Sequence, residues 1–145
     1  QKGNQDTLIG MVTIHATYEG DLCCTASHGP SDATLQTDAP KDNEGLGRFF
    51  SPTDLVATAL ATCILTTLGI VARRHNFDLK GCQATVEKHM NATPRRIGRL
   101  PVSLTIHGSY TAEQKKLLEN TAHTCPVHKS LHPDIDATIS INWVS

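Results

Sequence analysis

From Leu55 to Ala72 the chain runs for eighteen residues without a charged side chain. Few folds can accommodate such a segment. A membrane span needs about 20 apolar residues, so length alone would admit one. Thr58, Thr62, Thr66, Thr67 and Gly69 make the stretch too polar for that reading. The alternative is a helix buried nearly all round. A chain of 145 residues rarely encloses such a helix alone, so a second subunit is expected over one face. The ends of the segment agree with a helix. Ser51-Pro52-Thr53-Asp54 is a start signal: a capping serine, a proline at the first helical position and an acid facing the positive end of the dipole. Arg73-Arg74-His75 places positive charge at the other end.

Around this helix the sequence alternates as strands do. Even positions from Leu8 to Ala16 are apolar or small, Glu19-Gly20-Asp21 is a turn, and Leu22 to Ser27 reads as a return strand. Gly29-Pro30-Ser31-Asp32 is a second turn before a third strand, Ala33 to Thr37, which makes a three-stranded antiparallel meander. Asp38 to Gly47 reads as a loop. Beyond the helix, Cys82 to Met90 reads as a strand, Asn91 to Gly98 as a connection, and Leu100 to Ile106 as a strand with Val102, Leu104 and Ile106 inward. Thr111-Ala112-Glu113-Gln114 is a capping box for a helix to about Thr124, and Cys125-Pro126 restarts the pattern through Leu131. Ala137, Ile139, Ile141 and Trp143 alternate in a last strand. The order is β-β-β-α-β-β-α-β, an α+β chain read as one domain over residues 1–145.

Charge and composition exclude some functions. Thirteen Lys+Arg against fourteen Asp+Glu leave no basic excess for phosphates, and 4% aromatics offer few stacking platforms, so no nucleic-acid partner is expected. No Gly-rich phosphate loop and no G-x-S-x-G elbow occurs, so no cofactor is implied. Gln1 to Asp6 is polar and lacks the apolar core of a signal peptide, so the expected location is the cytoplasm, away from any membrane.

Five cysteines and eight histidines remain. Five thiols cannot all pair within one chain, and no C-x-x-C motif occurs. Cys125 has the better local case for reactivity, at a helix restart between His123 and His128. Cys63 lies mid-helix in the most apolar segment, where burial raises a thiol's pKa, and reads locally as a core residue. Cys23 and Cys24 are adjacent on a strand and point to opposite faces, and Cys82 reads as core. His123, Cys125 and His128 could serve as metal ligands, but H-x-C-x-x-H is not an established ligand spacing.

Two segments together resemble the OsmC/Ohr family, the osmotically inducible and organic hydroperoxide resistance proteins. They are Ser51-Pro52-Thr53-Asp54-Leu55 with Ala59-Leu60-Ala61-Thr62-Cys63, and Cys125-Pro126-Val127 sixty-two residues after Cys63. The resemblance implies an OsmC-like fold in an intertwined homodimer with central buried helices. It implies a thiol-dependent peroxidase that reduces organic hydroperoxides, with Cys63 peroxidatic and Cys125 resolving through a Cys63–Cys125 disulfide that an external dithiol reduces. The family activates its first cysteine with an Arg held by a carboxylate. Arg48, Asp54 and Glu44 are the candidates here, although the family's usual Glu falls on Thr53. Nine helical residues span about 13.5 Å, so Asp54 could serve Cys63 only through another residue or across two subunits. The alternatives are a non-catalytic protein that binds a small ligand on the same fold, and a Cys/His metal-binding protein.

Overall fold

The computed structural model describes residues 10–145, which fall into two compact units divided after Pro52. Leu8, where the first strand was expected to begin, and the polar stretch Gln1 to Asp6 lie outside the described residues.

The described part of the first unit is the expected meander. Strands β1 (Ile14–Gly20), β2 (Cys23–His28) and β3 (Thr34–Asp38) form one antiparallel sheet in sequence order. The β1–β2 connection is tight because Asp21 and Leu22 both take left-handed φ, 52° and 64°. That is the backbone of a two-residue hairpin turn whose twist suits the strands. Register puts Ala16 opposite Ala26 and Ala26 opposite Leu35, so the apolar positions share one face. Ile14, Tyr18 and Leu35 on this sheet are exposed. Cys24 pairs with Tyr18 and Thr37, whereas Cys23 pairs with Asp38, so the two thiols occupy opposite faces as expected. The loop after β3 contains a single 3-10 turn, Lys41–Asn43. It folds back so closely that a Cβ at Gly45 would collide with the Ala39 carbonyl oxygen. Glycine is required there by steric exclusion.

In the second unit, helix α1 (Pro52–Arg74) begins at the proline, as the start signal indicates. It ends in a Schellman motif: Asn76 takes φ 63°, Phe77 N–H donates to Ala72 O at 3.0 Å and Asn76 N–H to Arg73 O at 3.2 Å. The expectation of burial all round is not met within the chain. Ala57, Leu60, Ala61, Ile64, Leu68 and Ala72 form one buried stripe, while Thr62, Thr66 and Ile70 are exposed on another side. The threonines fit because each hydroxyl returns to its own helix: Thr58 to Asp54 O, Thr62 to Thr58 O, Thr66 to Thr62 O and Thr67 to Cys63 O, at 2.8–2.9 Å. With those hydroxyls satisfied within the helix, it is less polar than its composition suggests. The helix is long and apolar enough to cross a membrane, but its buried stripe is packed in a protein core.

That core also takes Val102, Leu104 and Ile106 from β7 (Val102–His107), with Leu118 and Ala122 from α2 (Ala112–Ala122). A sheet of order β4-β7-β8 carries it, with β4 (Gln83–Val86) antiparallel to β7 and β8 (Ile139–Val144) parallel to β7. The parallel pair requires a crossover, which α2 and α3 (Pro126–Ser130) provide. The capping box of α2 forms as expected: Gln114 N–H donates to Thr111 Oγ1 at 3.1 Å and Thr111 N–H to Gln114 Oε1 at 2.9 Å.

Two expectations between α1 and β7 are corrected. Cys82 to Met90 is not one strand but β4 followed by β5 (His89–Ala92), interrupted at Glu87-Lys88. The interruption lets Lys88 turn to the start of α1, where its Nζ lies 2.7 Å from Asp54 Oδ1 and donates to Thr53 Oγ1 at 2.9 Å. Asn91 to Gly98 is not a plain connection. It forms the arms of a hairpin with β6 (Arg95–Arg99), turning at a cis Thr93–Pro94 bond. Pro94 marks a turn inside the hairpin, and three arginines in five residues of β6 hide its alternation.

Candidate active site

Cys63 sits on the fourth turn of α1, half-buried at the edge of the core. Cys125 caps the N-terminus of α3 and is fully buried. Cys63 packs against the buried cluster that contains Cys125, each thiol shifts the ionisation of the other, and both are free. The Cys125 sulfur also accepts the His128 N–H at 3.4 Å. Pro126 starts α3 without an N–H of its own, which leaves the next amides, Val127 and His128, facing the sulfurs.

The two thiols are therefore unequal. Burial pushes the Cys63 thiol up, but the neighbouring Cys125 thiol, the Val127 N–H and the Thr67 hydroxyl together outweigh it, and the net shift is down. The Thr67 contact is long, 3.9 Å between Oγ1 and Sγ. Burial pushes the Cys125 thiol up, and its position as donor to Cys63 pushes it further, against the opposing amides of His128 and Val127. Of the two, Cys63 gives up its proton more readily, and thiolate character governs nucleophilic attack. The direction differs from the local sequence pattern, which favours Cys125 as the reactive thiol and reads Cys63 as a core residue.

Arg48 lies in the first unit, where its guanidinium is held by a carboxylate that the sequence pattern places in a loop with no role. Arg48 Nε donates to Asp38 Oδ2 at 2.9 Å, and its backbone N–H donates to the same oxygen at 3.0 Å. Its Nη2 reaches Cys23 Sγ at 3.0 Å and Asp21 O at 3.3 Å. The side-chain hydrogen bond from Arg48, then its backbone N–H, hold Asp38 down to about 2 despite burial. Asp54 is engaged by Lys88 at 2.7 Å, in the first turn of α1 and about two and a half turns before Cys63. Glu44 is exposed at the end of the 3-10 turn, with φ 68°.

Among the described residues no group of three His, Cys, Asp or Glu side chains could hold a metal. His123 and His128 meet edge to face at 6.2 Å between ring centres, and the His128 Nε2 is bonded to Ala137 O at 3.2 Å. That bond turns one ring nitrogen away from Cys125.

With the sulfur pair placed, relatives can be compared. The family model described as OsmC-like protein matches residues 44–140. The chain belongs to the OsmC-like family. A crystal structure from Psychrobacter arcticus, of a candidate osmotic-stress-induced and detoxification response protein, is 47% identical with a TM-score of 0.86, covering 92% of this chain and 97% of that one. An organic hydroperoxide resistance protein OsmC from Legionella pneumophila shares the fold at 22% identity and a TM-score of 0.70, covering 91% and 96% of the two chains. OhrB of Bacillus subtilis, also an organic hydroperoxide resistance protein, shares it at 17% and 0.66, covering 92% and 99%. No curated protein matches the chain. The OsmC-like family is associated with organic hydroperoxide resistance, and the α+β architecture expected from the two cysteine segments is the one observed.

Proposed function

We propose that this OsmC-like protein is a thiol-dependent peroxidase for organic hydroperoxides. The observation that carries the reading is the placing of two free thiols in one core, with Cys63 packed against the cluster that holds Cys125 at the start of α3. The Cys63 thiolate attacks the outer oxygen of ROOH. The O–O bond breaks, an S–O bond forms, and RO⁻ takes a proton to leave as ROH. Cys125 then attacks the sulfenic sulfur, which releases water and closes a Cys63–Cys125 disulfide. An external dithiol restores both thiols by exchange.

The resemblance to the family assigns Arg48, whose guanidinium is oriented by Asp38, an activating part. A homodimer is proposed as the working form. Its support is the outer side of α1, where Ile70 is 47% exposed and a Cβ at Gly69 would meet nothing within 4 Å. A glycine in a helix interior costs about 1 kcal/mol against alanine, and nothing in the chain itself requires one there. The space suits a closely approaching second helix. Five free thiols would persist in a reducing compartment such as the cytoplasm.

The test is consumption of cumene or tert-butyl hydroperoxide with a dithiol present. Turnover is expected in the native chain and none in Cys63→Ser. Full turnover in that variant would refute the mechanism. The non-catalytic alternative predicts no turnover in the native chain.

A further inference from the structure

We propose that Cys23 is an oxidation site, at which Arg48 and Asp38 hold a sulfenic acid once a hydroperoxide has formed it. Three observations in the first unit meet at this sulfur. Arg48 Nη2 donates to Cys23 Sγ at 3.0 Å. Strand register pairs Cys23 directly with Asp38, on the same face of the sheet. The Asp38 side chain is 0% exposed, and both Arg48 bonds fall on Oδ2. Oδ1 is therefore a buried carboxylate oxygen with no hydrogen-bond partner among the described residues. A buried acceptor left bare is costly, and few such atoms occur in a folded protein. A thiol is a weak donor and satisfies it poorly. A sulfenic O–H one bond further out would be a proper donor to it.

The step balances. The Cys23 sulfur attacks the outer oxygen of ROOH, the O–O bond breaks and an S–O bond forms. The sulfur loses two electrons, the peroxide is reduced to ROH, and the thiol proton leaves with the alcohol. The product donates its O–H to Asp38 Oδ1 while Arg48 Nη2 remains on the sulfur. Cys24 cannot resolve it, because its side chain lies on the other face of the sheet.

The site is selective by persistence and not by speed. Burial pushes the resting Cys23 thiol up, Arg48 pulls it down and Asp38 pushes it up again, so the net shift is up and attack is slow. The oxidised form then accumulates under sustained peroxide and alters the bonds of Arg48. This inference rests on the proposed peroxidase function only for its oxidant.

The experiment uses the Cys63→Ser/Cys125→Ser chain, which lacks the proposed peroxidase pair, so it stands or falls separately. The protein is treated with cumene hydroperoxide and the excess is removed. Dimedone is added at intervals, and labelled peptides are mapped by mass spectrometry. The Cys23 sulfenic acid is expected to outlive those of Cys24 and Cys82 by about tenfold, the scale of one charge-assisted hydrogen bond. Asp38→Asn and Arg48→Gln should each shorten its lifetime. Should Asp38→Asn not fold, Arg48→Gln alone decides the question. Absence of label at Cys23, a lifetime equal to that of Cys24, or a lifetime unchanged in Arg48→Gln would each overturn the proposal.

Discussion

Cys63 and Cys23 present opposite solutions to one electrostatic problem. Cys23 has a guanidinium 3.0 Å away and is nevertheless held up. Cys63 is lowered by neutral donors, a neighbouring thiol, one amide and one hydroxyl, with no full charge among its causes. The difference lies in what each donor is already doing. Arg48 gives its Nε and its backbone N–H to Asp38, and the carboxylate cancels much of the field the thiol would otherwise feel. The Val127 amide lies at the first turn of α3, where the helix leaves N–H groups unpaired. Neutral polar groups in a half-buried site can therefore outweigh a nearby charge that is already paired.

The largest expected effect is on Cys63 itself: Cys63→Ser should reduce hydroperoxide turnover to the uncatalysed rate, measured by peroxide consumption. Next come two replacements of its partner, which separate chemistry from electrostatics. Cys125→Ser keeps a donor beside Cys63, so it should give one oxidation event per chain and then stall in recycling, with Cys63 alkylation little changed. Cys125→Ala removes the donor. Losing one hydrogen bond of about 1 kcal/mol should slow Cys63 alkylation at neutral pH by about fivefold.

Asp38→Asn tests the other side of the comparison. It removes a raising influence from Cys23 and frees Arg48, so Cys23 alkylation at neutral pH should accelerate. It should also change acid stability. Asp38 is lowered from 3.8 to about 2, so its stabilisation is fully present above about pH 4 and disappears as pH falls towards 2. The native chain should lose stability through that window in acid denaturation, and Asp38→Asn should lose less there. The smallest effect is expected from Thr67→Val. Its contact to Cys63 is 3.9 Å long, so alkylation should slow by less than about threefold.

Much of the fold was legible because periodicity survives in these segments. β7, β8, the α2 capping box and the start of α1 all lie where alternation and capping residues indicate. The β5–β6 hairpin was not legible, because Arg95, Arg96 and Arg99 mask a strand whose buried members are only Ile97 and Gly98. The sulfur pair was legible only through family resemblance. Local chemistry favoured Cys125, because the groups that lower Cys63 come mainly from a segment more than sixty residues away. Thr67 could have been found, because four residues along a helix share one face. Asp38 could not. A carboxylate at the end of a strand reads as solvated, and only the return of the chain at Gly45 brings Arg48 onto it.

The central claim is that Cys63 loses its proton more readily than Cys125 and Cys23. Alkylation rate against pH, resolved by peptide for all three cysteines in the reduced native chain, tests it most directly. Cys63 should titrate first, below the free-thiol value of about 8.5, with Cys125 and Cys23 above it. A Cys63 midpoint at or above about 8.5, or a lower midpoint for Cys125, would contradict the account.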